Sequence, residues 1–257
     1  MLPPRHHIDV WLCYENEISE ELLHAYWPLL TEAERTKALR FHFAADRNRH
    51  VISRALLRTV LPAYLGIPHQ ALSFRSDQFG RPSLDNPEAL AARLDFNLSH
   101  TAGLIALGAT CDTVVGVDVE NASRQQPAME MASRFFSPGE VASLRTFDGD
   151  ALNLEFFRHW TLKESYLKAY GVGLSLPLDR FGFRLAAQRA EFYLTAAAEH
   201  RAEEWQFAQW RASTDHLLAV CARHDDVVPL TFTLRHVVPL HRSDEVELPQ
   251  LCRTMRS

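Results

Sequence analysis

Gly116-Val117-Asp118-Val119-Glu120 sets two carboxylates two residues apart. On a strand, Asp118 and Glu120 point to one face while Val117 and Val119 pack on the other. Adjacent like charges repel, so the pair needs a cation or a raised pKa to be stable. Magnesium fits, because it takes oxygen ligands and is commonly shared between carboxylates and substrate phosphates. An exposed strand edge carrying ordinary acids is the other reading.

Glu164 and Lys168 stand four residues apart in Trp160-Thr161-Leu162-Lys163-Glu164-Ser165-Tyr166-Leu167-Lys168-Ala169-Tyr170-Gly171. The spacing places them one helical turn apart on one side. Glu164 also lies only about 40° around the helix from the apolar Trp160, so it is half buried or committed to a partner. An ordinary surface salt bridge is the bland alternative. Ser99-His100 closes a third polar site: a structural hydrogen-bonder, or, beside a metal and phosphate, a pair of phosphate donors. From Thr31 to Arg58 there are seven Lys/Arg against three Asp/Glu, with His42 and His50 besides. In a chain of net charge −5 this is the segment that would serve a phosphate, unless it is simply a solvated helical face.

The elements that must position these residues follow from local signals. Ile8 to Tyr14 is a strand, and Leu22 to Leu30 a helix that Pro28 kinks or ends. Thr31-Glu32-Ala33-Glu34 is a capping box that opens a helix, and a second helix runs from about Asp46 to a stop at Gly66. Leu72 to Ser76, Asp95 to His100, Leu104 to Ala109 and Thr113 to Val119 are strands, which together predict a small antiparallel sheet over Leu72 to Val119. Phe79-Gly80-Arg81-Pro82 is a turn, and Leu84 to Arg93 a surface connection. Asn121 to Pro127 is a polar, mobile loop. Ser137-Pro138-Gly139-Glu140 is a second capping box. The long helix from about Asp150 ends at Gly171, and four short strands follow between Phe181 and Ala222.

Both halves thus show helices and then strands. The expected fold is α+β, in two pseudosymmetric halves, each a small antiparallel sheet packed with helices. The expected domains are 1–112, 113–225 and a C-terminal tail, 226–257, loosely docked from His241 on.

Composition narrows the function. With 47% apolar residues and 23% charged, the 257-residue chain is an ordinary globular protein. Its net negative charge does not suggest nucleic-acid binding. No run is long and apolar enough to cross a membrane, and no signal-peptide pattern is present. Cys13, Cys111, Cys221 and Cys252 form no C-x-x-C pair, which predicts a reducing cytoplasm. There is no P-loop, H-E-x-x-H, G-x-S-x-G or EF-hand loop. Lacking a nucleophile motif, the chain favours metal-assisted direct transfer.

Three motifs in order, Phe96-Asn97-Leu98-Ser99-His100, the Gly116–Glu120 run and the Trp160–Gly171 run, resemble the 4′-phosphopantetheinyl transferases of the Sfp-type class. Arg134-Phe135-Phe136-Ser137 and Gly173-Leu174-Ser175-Leu176-Pro177-Leu178 are similar to that family as well. The resemblance covers roughly Thr31 to Ala222. It implies a cytoplasmic monomer that moves the phosphopantetheine arm of coenzyme A onto a serine of an apo acyl or peptidyl carrier protein, releasing 3′,5′-ADP. The carriers would be those of fatty-acid, polyketide or nonribosomal peptide synthesis, with neither nucleic acid nor membrane as a partner. By position, Asp118, Glu120 and Glu164 would hold magnesium, with manganese as an alternative ion. Glu164 would also be the base for the carrier serine, and Lys168 would neutralise the pyrophosphate. His100 with the basic helices, through Lys37, Arg40, Arg49 and His50, would hold the 3′-phosphate, and Ser99 would also lie at the coenzyme A site. Arg81-Pro82 stands where the family often has Lys-Pro, keeping the charge with a different geometry. Two other functions use the same residues: a magnesium-dependent nucleotide phosphodiesterase, and a non-enzymatic adaptor with this fold.

Overall fold

The computed structural model describes residues 1–77, 80–171, 176–195, 201–224 and 228–254. Phe79 of the turn signal, Gly173, Leu174 and Ser175 of the second glycine run, and Asp226 lie outside them. The chain folds as mixed α+β in two units: Met1–Asp112 with Thr231–Glu247, and Thr113–Leu230 with Leu248–Ser257.

In the first unit, β1 (His7–Tyr14) is followed by α1 (Glu20–Tyr26), α2 (Glu32–Ala38) and α3 (Ala44–Leu65). Ser19 caps α1, and the Thr31/Glu34 capping box starts α2 as the sequence predicts. Gly66, at φ 66°, ends α3 in the left-handed conformation that glycine adopts without penalty. A two-stranded ribbon, β2 (Phe74–Ser76) and β3 (Pro82–Leu84), stands apart from the main sheet. The stretch expected as a plain connection contains a short helix, α4 (Pro87–Ala92), whose one and a half turns are too few to show a period. Next come β4 (Leu94–Thr101) and β5 (Leu104–Cys111).

The second unit begins with β6 (Val115–Asn121), α5 (Ala128–Phe135), α6 (Pro138–Leu144) and α7 (Gly149–Tyr170). It continues with β7 (Phe181–Ala186), β8 (Arg189–Leu194), β9 (Trp205–Arg211) and β10 (His216–Arg223). The two units share a plan: each packs a 22-residue helix ended by a left-handed glycine, α3 or α7, against its own sheet.

Two expectations are corrected here. The predicted sheet over Leu72 to Val119 does not form, because β6 pairs with β10 in the second unit's sheet. Alternation predicts a strand but says nothing of its neighbour. Nor is the described part of the C-terminal tail, 228–254, loosely docked from His241 on. It supplies β11 (Thr231–Val238) and β12 (Arg242–Glu245) to the first unit's sheet, ordered β12-β11-β1-β5-β4. It also supplies β13 (Gln250–Arg253) to the second, ordered β6-β10-β9-β13-β8-β7. β11 runs parallel to β1 and β13 parallel to β8, so each sheet is antiparallel except at one pairing. A parallel partner arrives from far along the chain without a hairpin turn to announce it.

Candidate active site

The site is built where α7 crosses β6 in the second unit. Gly116, Asp118 and Glu120 alternate onto the face of β6 that α7 covers, while Val117 and Val119 are buried on the other. Gly116 sets the approach. A Cβ there would lie 2.0 Å from the Ser165 carbonyl O and 2.5 Å from Ala169 N. Only a residue without a side chain lets the α7 backbone lie this close, between Ser165 and Ala169. That contact brings the Glu164 and Lys168 turn of α7 over the two strand acids.

Lys168 Nζ lies 2.6 Å from Asp118 Oδ1, and the Asp118 side chain is only 6% exposed. Glu120, itself half-buried, is 3.7 Å from the exposed Arg124. The three carboxylates repel one another. Burial and then Asp118 raise Glu120 to about 7, with Glu164 adding and Arg124 and Lys168 opposing. Burial and Asp118 likewise raise Glu164, against the pull of Lys168. The donor set, three carboxylates in one half-buried patch, suits a hard divalent cation. Among the described residues, however, no group of three such side chains is arranged as a metal cage. Lys168 is the cation on Asp118.

Several residues that hold this site in place have no site role in the sequence motifs that contain them. Next to Glu164 in sequence, Lys163 points the other way and is fully buried. Its Nζ donates to Leu178 O at 2.8 Å and Phe181 O at 2.6 Å, and lies 2.8 Å from Glu140 Oε2. Glu140 also accepts from Ser137 Oγ at 2.8 Å and Phe183 N at 3.0 Å, with His159 Nδ1 at 3.3 Å. This cluster fixes the rotation of α7 and so the direction of Glu164. Asn153 Nδ2 donates to Ala122 O at 2.7 Å and Arg124 O at 3.2 Å. With Ala122 N bonded to Asp215 O, it ties down much of the 121–127 segment expected as a mobile loop.

The remaining predicted residues lie in the first unit. Lys37 and Arg40 are exposed at the end of α2 and line an open hollow of about 960 Å³ with Thr31, Thr36 and Phe41. His50 is buried on α3. Arg49 is committed to Glu15 at 2.5 Å and Asp46 at 3.0 Å. Arg81 is 2.8 Å from Asp95, and Pro82 opens β3. Ser99 and His100 are neighbours on β4 and so face opposite sides, Ser99 buried and His100 exposed.

Residues 114–221 match the 4′-phosphopantetheinyl transferase superfamily, and residues 16–112 match the N-terminal part of a 4′-phosphopantetheinyl transferase. A Bacillus subtilis 4′-phosphopantetheinyl transferase is 31% identical over 75% of this chain and 82% of its own length. The transferase Sfp of B. subtilis strain 168 is 29% identical over 82% of this chain and 90% of its own. The mouse L-aminoadipate-semialdehyde dehydrogenase-phosphopantetheinyl transferase is 28% identical over 75% and 67%. The chain belongs to the 4′-phosphopantetheinyl transferase family. It is an enzyme that transfers phosphopantetheine to carrier proteins.

Proposed function

We propose that the donor is coenzyme A, that the acceptor is a serine of an apo acyl or peptidyl carrier protein, and that a magnesium ion assists. The observation that carries this reading is the acid patch of β6 and α7, with Lys168 against Asp118. Phosphoryl-type transfer depends on positioning and charge neutralisation, and this patch supplies both.

Asp118, Glu120 and Glu164 would hold the ion, which when bound draws charge from the pyrophosphate. Lys168 serves the same charge directly. The raised pKa of Glu164 makes it a stronger base than an ordinary carboxylate, and its ionised form takes the proton of the serine hydroxyl. A serine Oγ–P bond forms at the phosphorus bearing pantetheine. The bridging P–O bond breaks, and 3′,5′-ADP leaves with the bridging oxygen.

The four cysteines are free and buried, which supports a reducing cytoplasm as the compartment. Among the described residues no helix is long and apolar enough to cross a membrane. The reading takes the enzyme to act as a monomer, which size-exclusion chromatography with light scattering would check.

The test is incubation with coenzyme A, with and without magnesium, and apo acyl and peptidyl carriers. Intact mass should show the phosphopantetheine increment on the carrier, with 3′,5′-ADP appearing only when a carrier is present. Release of nucleotide without a carrier would instead identify a phosphodiesterase.

A further inference from the structure

The first unit holds a cavity lined by none of the residues assigned to transfer. It lies between α3 and the β11–β12 hairpin and measures about 530 Å³, the size of a small-molecule site. Strand register builds its floor. Trp11 pairs with Arg235 across β1 and β11, and Arg235 with Glu245 across β11 and β12, so the three form one row that ends at the sheet edge. Tyr64 of α3 ties the helix to this floor. Its OH accepts from Trp11 Nε1 at 2.9 Å and donates to Asp9 Oδ2 at 2.6 Å. Tyr26 OH donates to Pro239 O at 3.0 Å and fixes the hairpin turn, so the cavity is preformed.

Arg235 is the least committed charge in its lining. The guanidinium lies over the Trp11 ring, 5.4 Å from the centroid. Its carboxylate neighbours are Glu245 at 3.6 Å and Asp9 at 3.9 Å, both beyond hydrogen-bond distance. Asp9 is already served by Tyr64 and by His7 Nε2 at 3.4 Å. Arg242, the second lining arginine, has one arm on Glu17 at 2.5 Å. The lining thus sets two arginines against a single engaged acid. The rest of it is largely apolar, with Val60, Ala63, Val237 and Leu240. Leu240 stands at the mouth, 59% exposed and at φ 63°, a left-handed conformation that a bulky residue keeps only where its surroundings impose it.

We propose that this cavity binds a small organic monocarboxylate with an apolar body. The carboxylate takes paired hydrogen bonds from the Arg235 guanidinium, which no acid in the cavity supplies with an acceptor. The apolar body covers Val60, Ala63 and Leu240. Glu245, 68% exposed, turns away to solvent as the ligand enters. A monoanion fits better than a dianion such as a phosphate monoester, because Asp9 and Glu245 flank the guanidinium and repel a second charge.

The probe is phenylacetate, with phenylacetamide as its uncharged match, each titrated into the intact chain and followed by protein-observed NMR. Phenylacetate should bind with a Kd of about 1 mM, as expected for so small a ligand, and the amide at least tenfold more weakly. Arg235→Gln should weaken phenylacetate about 10- to 100-fold and leave the amide unchanged. Glu245→Gln should tighten phenylacetate about two- to fivefold by removing the competing acid. Equal binding of acid and amide, unchanged binding in Arg235→Gln, or no binding of phenylacetate up to about 10 mM overturns the proposal. If Arg235→Gln fails to fold, the acid–amide comparison and the exposed Glu245→Gln decide it, and the absence of tightening in Glu245→Gln then overturns it.

Discussion

Lys168 Nζ sits 2.6 Å from Asp118 Oδ1, an ion pair between residues fifty positions apart on α7 and β6. The lysine holds the acid that a bound metal ion would also draw on, so the two cations would share one carboxylate. Lys168→Ala should lower kcat and raise the KM for coenzyme A together, because the ammonium serves charge in both ground and transition states. A loss of roughly 10- to 100-fold in kcat/KM is expected for one charge-assisted contact. Steady-state kinetics with a saturating apo carrier checks this. An unchanged kcat/KM would return the pair to a structural salt bridge.

Glu164 and Asp118 should separate by magnesium response. Glu164→Gln keeps the size and one acceptor oxygen but cannot take the serine proton. Its turnover should fall on the order of 10²- to 10⁴-fold, with coenzyme A still bound and no rescue by added magnesium. Asp118→Ala should be partly rescued by raising magnesium. Magnesium titrations of both variants, read by carrier mass, decide between the roles. Near-native turnover in Glu164→Gln would remove it as the base.

Gly116→Ala tests the strand–helix approach. The new Cβ would meet Ser165 O and Ala169 N of the helix backbone, and neither can swing aside. The helix must lift, costing about 1–3 kcal/mol in the range of overpacked cores. Turnover should fall further than stability alone explains, since Glu164 and Lys168 move with the helix. Urea denaturation alongside kinetics measures both, and full activity at reduced stability would argue against a positioning role.

The Glu140 cluster predicts an acid limb in the stability curve. Burial alone would raise Glu140, but the His159 hydrogen bond and the Lys163 charge outweigh it and hold the carboxyl below its ordinary value. A folded value below the unfolded one means that the unfolded chain binds the proton more readily. The stabilisation is therefore complete above the ordinary carboxylate range and is lost as pH falls through the folded value. Glu140→Gln should lose about 3–5 kcal/mol at neutral pH by leaving Lys163 buried and unpaired, and should flatten the acid limb. Urea melts between pH 4 and 8 test this, and an acid limb as steep as the native one would place its cause elsewhere.

Much of this enzyme is legible in local sequence. Thr31 and Ser137 announce capping boxes, Gly66 and Gly171 announce helix ends, and both boxes and both ends form where they are read. Alternation in Gly116–Glu120 puts Asp118 and Glu120 on one face, as backbone geometry alone requires. These features survive because capping, turn chemistry and periodicity depend on residues within one or two turns of each other.

What the sequence by itself left open are relations between distant segments. Alternation identifies β6 as a strand but does not place it beside β10, and nothing local pairs β11 with β1. The basic run of α2 and α3 shows seven cations alike. Only packing gives Arg49 to Glu15 and Asp46, Arg58 to Glu34, and leaves Arg54 short of a hydrogen bond. Glu140 reads as a capping acid, and it is one, yet it also receives Lys163 and the Phe183 amide from further along the chain. Side-chain type fixes what a group can bond. Which partner desolvates and compensates it is decided by the tertiary contacts, because a charge is stabilised by what lies within a few ångströms in space, whatever its distance along the chain.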